Sequence, residues 1–187
     1  MTLKELISEV KALGFDTESG VTDAFIDALN RAMRQLFCEL CITKKTVLHA
    51  DADSRAGKKT KGLDIRALTG DFLAFHSLPT DRHGKIIRYA QLLDGTLYLP
   101  SDYRGEIYLV YRRLPRRIHL EDMNTELDIP EEYTHLLPLL AAYYVWLDYE
   151  PELSGEYLSR YREMLGRIKE LTLERWDARY IDTNGWA

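Results

Sequence analysis

Residues 128–176 constrain the fold more than any other part of the sequence, because they have the pattern of two helices joined by a short break. Pro130 suits the first turn of a helix, where its missing N–H has no partner. Glu131 and Glu132 suit the positive end of the helix dipole. Pro151 follows the first apolar stretch and marks the start of a second helix. The pattern therefore predicts a helical hairpin as the framework of the chain.

The first arm of this hairpin, residues 136–147, is apolar on all sides rather than along one stripe. Such a helix needs several packing neighbours, because one partner covers only one face. A stretch of about a dozen residues is too short to cross a bilayer, which requires about 20. We therefore expect its neighbours to be other elements of the chain or other subunits, and we expect no membrane contact.

The second arm has apolar residues at helical spacing, with charged residues mostly on the other side. The apolar positions are Leu153, Tyr157, Tyr161, Met164, Leu165, Ile168 and Leu171. Residues 177–187 follow, and they keep aromatic and aliphatic side chains that a solvated tail rarely retains. We therefore expect residues 177–187 to form a C-terminal arm that uses these side chains in contacts.

Two more helices are predicted near the start of the chain. Thr2 and Glu5 match a capping box, and Gly14 ends the apolar periodicity that follows. Thr22 can cap a second helix, whose apolar face recurs every three to four residues. Both helices are amphipathic, so each is expected to pack one face against the rest of the bundle.

Residues 42–127 change to the alternation and β-branched content that are typical of strands. The candidates are Ile42–Leu48, Phe72–Phe75, Ile86–Leu93, Thr96–Leu99 and Glu106–Arg113. Asp94 and Gly95 form the clearest turn, because a type I′ hairpin needs positive φ at both central residues. Residues 51–62 lack large apolar side chains and are predicted to be a mobile loop. In the candidate strand Glu106–Arg113 both faces are partly apolar, so we expect the sheet to contact something on each side.

This order of elements predicts an α+β fold: mainly a bundle of about four helices, with a small antiparallel β insertion between helices 2 and 3. At 187 residues the chain is long enough for one domain with a full core. We predict a single domain over residues 1–176, followed by the C-terminal arm. Its helices are expected within 1–41 and 128–176, and its β insertion at 42–127.

Composition and motifs argue against several functional classes. The net charge of −5 does not suit a general nucleic-acid binder, and no secretory signal is recognisable. Common phosphate-binding, dinucleotide-binding, zinc-protease and serine-nucleophile motifs are missing. The five histidines are scattered, and Cys38 and Cys41 lack the second pair that a structural zinc site needs. We therefore predict no enzymatic activity, cofactor or metal.

Positive charge is concentrated in two places that could face DNA, the loop 55–61 and the stretch 112–117. The basic residues concerned are Lys58, Lys59, Lys61, Arg112, Arg113, Arg116 and Arg117. A solvated loop tip and a solvated strand end explain the same pattern, and the arginines could also pair with acidic residues of a neighbouring subunit. A small nucleic-acid-binding module that uses both stretches is therefore an alternative function.

Three stretches carry a family resemblance. Leu127-Asp128-Ile129-Pro130-Glu131-Glu132-Tyr133 leads into a helix, the strand pattern 99–115 precedes it, and the apolar and aromatic stretch 139–150 follows it. Together they resemble the head-to-tail connector proteins of tailed bacteriophages, the adaptor or tail tubular protein A-like family. The resemblance covers most of the chain, with residues 43–80 matching only loosely.

The resemblance implies a virion protein without enzymatic activity, made in the host cytoplasm and located at the interface between head and tail. Such proteins assemble as a homo-oligomeric ring, commonly twelve-fold, under the portal protein. The implied partners are the portal protein, a tail or nozzle protein, and genomic DNA passing through the lumen. Because a C-terminal segment often reaches the portal in this family, the resemblance implies portal binding by Trp176, Tyr180, Ile181 and Trp186.

Overall fold

The computed structural model describes residues 1–14, 22–50 and 60–183, with the backbone alone for residue 60 and residues 171–183. Within these residues the chain forms five α-helices and six strands. The helices are α1 (Leu3–Ala12), α2 (Asp23–Leu40), α3 (Ile65–Thr69), α4 (Leu137–Trp146) and α5 (Pro151–Thr183). The strands are β1 (Thr43–Ala50), β2 (Thr60–Asp64), β3 (Phe72–Phe75), β4 (Gln91–Leu93), β5 (Thr96–Pro100) and β6 (Gly105–Arg113).

The chain divides into two compact units. Residues 1–36 and 117–187 form the first, which we call the helical unit, and residues 37–116 form the second, which we call the β unit. The α+β class is as expected, but the prediction of a four-helix bundle with a small β insertion is wrong. In the described residues the β unit has two three-stranded sheets and a helix of its own, so it is too large to count as a small insertion.

The N-terminal capping predictions are confirmed. The Glu5 amide donates to Thr2 Oγ1 at 3.2 Å, and the Thr2 amide donates to Glu5 Oε2 at 2.7 Å. These bonds satisfy donors that the first turn of α1 cannot satisfy within the helix. Gly14 follows the end of α1 with φ of 98°, and the Phe25 amide donates to Thr22 Oγ1 at 3.3 Å. Local chemistry therefore places both helix starts.

The first arm of the hairpin begins differently from the prediction. Residues Glu131–Leu136 form a 3-10 helix after Pro130, and the α-helix α4 starts only at Leu137. Pro138 explains the change, because it has no N–H to donate to the residue four positions earlier and its ring crowds that carbonyl. The proline therefore separates a 3-10 turn from the α-helix rather than kinking one continuous helix.

The neighbours that the apolar helix α4 requires come from the helical unit itself. Leu137, Leu140, Ala141 and Ala142 are fully buried, and α4 packs against α1, α5 and the preceding 3-10 helix. At the rim, the Tyr144 hydroxyl donates to Gln35 Oε1 at 2.6 Å. Among the described residues no helix is both long and apolar enough to cross a bilayer. The apolar character of α4 is thus largely explained by burial within the subunit.

The β unit has two sheets with the strand orders β1-β6-β3 and β2-β5-β4. In the first sheet β1 pairs with β6 along its whole length, from Thr43 opposite Arg112 to Ala50 opposite Gly105. Side chains from both sheets form one apolar core. Its buried members are Ala50, Ile65, Phe72, Ile87, Leu97, Leu99, Ile107, Leu109 and Tyr111. The sheets therefore stabilise each other by burying one face of each.

The β4–β5 hairpin confirms the predicted turn. Asp94 and Gly95 have φ of 48° and 81°, and Leu93 pairs with Thr96 across the turn. The strand predicted over 86–93 is shorter than expected and covers only β4, because Tyr89 interrupts it with φ of 61°. The loop prediction for 51–62 is wrong at its end, where residues 60–62 belong to β2. Its other residues lie outside the described part.

Candidate interaction surfaces

The side chains of β6 alternate between the two faces of the first sheet, an inner face toward the core and an outer face away from it. Ile107, Leu109 and Tyr111 are fully buried in the core, whereas the alternate residues are only partly covered. Tyr108 and Val110 are half-buried and Arg112 is exposed. The partly apolar second face that the sequence predicted therefore exists, and it points away from the core.

Strand register places four residues of the outer face in one row. Val47 lies opposite Tyr108, Tyr108 is bridged to Thr80, and Thr80 is bridged to Ile86. Directly opposed residues of antiparallel strands project to the same side of a sheet. Val47 is 43% exposed and Ile86 is 59% exposed, so the row includes uncovered apolar surface. We call the following residues the outer sheet face: Lys45, Val47, Thr80, Ile86, Glu106, Tyr108, Val110 and Arg112.

Charged groups surround the apolar row. Lys45 Nζ lies 5.0 Å from the centre of the Tyr108 ring, which is within the range of a cation–π contact. The Tyr108 hydroxyl donates to Glu106 Oε2 at 3.0 Å, and this hydrogen bond raises the pKa of Tyr108 above its ordinary value. Tyr108 is therefore held between a cation at its ring and a carboxylate at its hydroxyl.

A cleft of about 580 Å³ also opens in the β unit. It is lined by His49, Asp81, Arg82, His83, Tyr103, Arg104, Gly105 and Glu106. Asp81 Oδ1 accepts from the His83 amide at 2.8 Å and from the Lys85 amide at 2.9 Å. The bond from Lys85, together with that from His83, holds the pKa of Asp81 below its ordinary value. Asp81 thus has a structural role in the turn that forms one wall of the cleft.

The composition of the cleft does not match a metal site or an anion site. Arginines and carboxylates line it together, and Arg82 Nε donates to His83 Nε2 at 2.9 Å. In the described part of the chain, no three His, Cys, Asp or Glu side chains are grouped so that they could hold a metal ion. This mixed-charge lining differs from that of small-molecule sites, which are lined mostly by apolar and aromatic side chains.

The stretch 112–117 does not form one basic patch. Arg112 is exposed on the outer face, whereas Arg113 is half-buried and its guanidinium lies 5.2 Å from the centre of the Phe37 ring. Arg116 is exposed at the end of the β unit. Arg117 belongs to the helical unit and forms an exposed ion pair with Asp27 at 3.2 Å. The four arginines therefore do not share one surface. Arg112 and Arg113 point to opposite faces of the strand, and Arg117 belongs to a different unit from the other three.

The three lysines predicted to face DNA have different positions. Lys61 is only 8% exposed, and its Nζ donates to the carbonyl of Tyr103 at 3.0 Å. This contact gives Lys61 a structural role inside the β unit. Lys58 and Lys59 lie outside the described residues. DNA contact by these side chains stays a prediction.

The residues predicted to bind the portal lie at the C-terminal end. Trp176, Tyr180 and Ile181 belong to α5, whose backbone is helical through Thr183. Trp186 lies outside the described residues. Helix α5 therefore extends beyond residue 176, where the sequence placed the end of the second hairpin arm.

The row Val47, Thr80 and Ile86 was not singled out from the sequence. These residues are separated along the chain and belong to different segments, so only strand pairing brings them together. The available signal was the alternation over residues 106–113, which indicated two partly apolar faces. It could not identify which residues of other segments share the outer face.

The two units differ strongly in charge. Of the 25 Lys and Arg residues, 14 lie within 37–116, whereas only 9 of the 30 Asp and Glu residues do. The β unit therefore has a formal net charge of +5, and the other 11 basic and 21 acidic residues give the helical unit −10. The net charge of −5 for the whole chain conceals this separation.

Comparison with known proteins agrees with the resemblance of the three stretches. The sequence matches no curated protein. Residues 1–183 match the SU10 adaptor protein family, which is a family of bacteriophage head–tail adaptors. The match spans nearly the whole chain and includes both the helical unit and the β unit. The chain therefore belongs to the SU10 adaptor protein family, and it is a structural adaptor protein of a phage virion.

Proposed function

We propose that this adaptor forms a homo-oligomeric ring, twelve-fold, that joins the portal vertex of the phage head to the tail and continues the DNA channel. The family match over residues 1–183 is the observation that carries the proposal. In this role the protein contacts the portal protein on one side and a tail or nozzle protein on the other, and genomic DNA passes through its lumen. It acts by assembly and not by catalysis.

A ring follows from a simple geometric condition. When one surface of a subunit binds a different surface of the next copy, the contact generates a ring if the rotation closes. The charge separation between the β unit and the helical unit supports this arrangement, because a subunit with surfaces of opposite sign can present a different surface to each neighbour.

The length of α5 supports a role for its C-terminal end in portal binding. With 33 residues α5 is about 50 Å long, whereas α4 with 10 residues is about 15 Å long. Helix α4 can therefore cover only part of α5. Among the described side chains of α5, residues 151–170, the buried apolar ones are Tyr157, Tyr161 and Leu165. We assign portal binding to Trp176, Tyr180, Ile181 and Trp186.

Electron microscopy of the full-length chain mixed with its portal protein tests the ring. We expect rings coaxial with the portal, and class averages should have twelve-fold symmetry. The portal must be present, because a subunit that is monomeric alone can still assemble on a template. Absence of both free rings and portal-dependent rings would contradict the proposal.

A nucleic-acid-binding module is the second candidate, favoured by the net charge of +5 on the β unit and by the exposed Arg112 and Arg116. In this alternative Lys58, Lys59, Arg112 and Arg116 contact phosphates. It predicts retention of the protein on double-stranded DNA at low salt and a steep loss of binding as salt is added. No retention at low salt would eliminate it.

A further inference from the structure

We propose that the outer sheet face binds the turn between α4 and α5 of the adjacent copy in the ring. This inference rests on the proposed ring and identifies the two surfaces that form its repeated contact. The partner is therefore a second copy of this chain, bound through residues 147–152.

The outer sheet face has the apolar centre of a protein interface. Val47 and Ile86 keep 43% and 59% of their surface exposed, and they flank Tyr108 and Thr80 in one row. Interfaces typically combine an apolar centre containing aromatic residues with a polar rim. Lys45 and Arg112 place two positive charges beside this row, against one carboxylate, Glu106, which accepts from the Tyr108 hydroxyl. The face therefore suits a partner that offers apolar side chains together with carboxylates.

The turn between α4 and α5 offers that combination. Leu147 is 37% exposed and Tyr149 is 71% exposed, so two large apolar side chains project from the turn. Asp148, Glu150 and Glu152 are also exposed. The turn is part of the helical unit, whose net charge of −10 is opposite in sign to that of the β unit. Complementary charge favours this pairing and disfavours contact between two β units.

The geometry of the turn is defined by local hydrogen bonds. The amides of Tyr149 and Glu150 donate to the Trp146 carbonyl at 3.0 and 2.8 Å, and the Ser154 amide donates to the Glu150 carbonyl at 2.9 Å. Ser154 Oγ donates to the Tyr143 carbonyl at 3.0 Å and ties α5 to α4. The turn is therefore preorganised, which reduces the entropy lost on binding.

Photocrosslinking in the assembled ring tests the contact. The photocrosslinking amino acid p-benzoylphenylalanine is placed at residue 86 of the full-length chain, and ¹⁵N-labelled and unlabelled copies are mixed with the portal protein. After irradiation, mass spectrometry should find a crosslink from residue 86 to residues 147–152 of a differently labelled copy. The matched control is position 93, since Leu93 is also 59% exposed and lies on β4 of the other sheet. It should give no crosslink to this turn.

Substitutions provide a second measurement. Ile86→Glu adds a carboxylate to the surface that meets the acidic turn, so we expect the concentration for half-maximal ring formation to rise about ten-fold or more. Leu93→Glu should leave that concentration unchanged. Both side chains are exposed, so the melting temperatures of both variants should stay close to that of the unsubstituted protein.

The results distinguish failure of the proposed contact between copies from failure of ring formation. Rings whose residue 86 crosslinks to the portal, to DNA, or to no second copy would overturn the proposed contact and leave the proposed function intact. Equal assembly by Ile86→Glu and Leu93→Glu would also overturn it. If the unsubstituted chain forms no rings with the portal, the proposed function fails and the contact fails with it.

Discussion

Asp71 makes polar side-chain contacts with two strands of the first sheet. Its Oδ1 accepts from the hydroxyl of Tyr111 at 2.6 Å, and its Oδ2 lies 2.8 Å from Nζ of Lys44. Partial burial raises the pKa of Asp71, but the hydrogen bonds from Lys44 and Tyr111 outweigh it and bring the pKa below its ordinary value of 3.8. Asp71 thereby links β1 and β6 beside the start of β3.

Asp71→Asn should lower the free energy of unfolding at neutral pH by about 1 kcal/mol, because it removes a charge-assisted bond that is partly screened by solvent. Since the folded pKa is depressed, the contribution of the carboxylate is fully present above pH 3.8 and is lost as pH falls through the folded pKa. The difference between the two proteins in urea denaturation should therefore shrink in strong acid. Asp102→Asn, at an exposed turn, is the control and should have no effect. A difference that grows in acid would contradict this assignment.

Among the turns that join strands, two glycines with positive φ allow the free-energy cost of a left-handed backbone to be measured apart from the cost of a steric clash. Gly95 has φ of 81°, and a Cβ added there would lie 2.6 Å from Arg66 Nε. Gly84 has a similar φ of 76°, but an added Cβ would have no neighbour within 4 Å. Gly84→Ala should cost about 1 kcal/mol from the left-handed backbone alone. Gly95→Ala should cost more in the same denaturation measurement, and equal losses would show that Arg66 moves away freely.

Helix α5 contains two glycines that weaken it. A Cβ added at Gly155 or Gly166 would meet no atom within 4 Å, so alanine fits without a clash. Each substitution should raise the free energy of unfolding by about 0.5–1 kcal/mol, because alanine loses less backbone freedom on forming a helix. Thermal unfolding followed by circular dichroism measures the gain. A loss of stability would mean that these positions contact another part of the chain.

At the scale of the whole molecule, deletion of residues 177–187 tests the proposed arm. Within residues 151–170 of α5, whose side chains the structure describes, Leu165 is the last buried apolar residue. The truncated protein keeps this contact, so we expect it to fold with nearly the same melting temperature. It should bind the portal more weakly in cosedimentation, since it lacks Tyr180, Ile181 and Trp186. A truncated chain that is insoluble or unfolded would show that these residues belong to the core of the subunit.

The elements that were predicted correctly depend on short-range chemistry. The capping box of Thr2 and Glu5, the cap at Thr22 and the turn at Asp94 and Gly95 involve residues within four positions of each other. Strand β2 and helix α3 were missed because each is only five residues long and no periodic pattern is legible over so short a stretch. Their stability comes from packing in the shared core of the two sheets.

The class of the fold, the starts of α1 and α2, the tight hairpin and the family could be read from the sequence, because they depend on local pattern and on motifs of contiguous residues. Two features emerged only from the folded chain: residues 37–116 form a compact unit with two sheets, and the arginine run 112–117 is divided. The same holds for the row from Val47 to Ile86, which is formed by pairing between distant segments. Strand register and burial arise from contacts between distant residues, and neither can be read from local spacing.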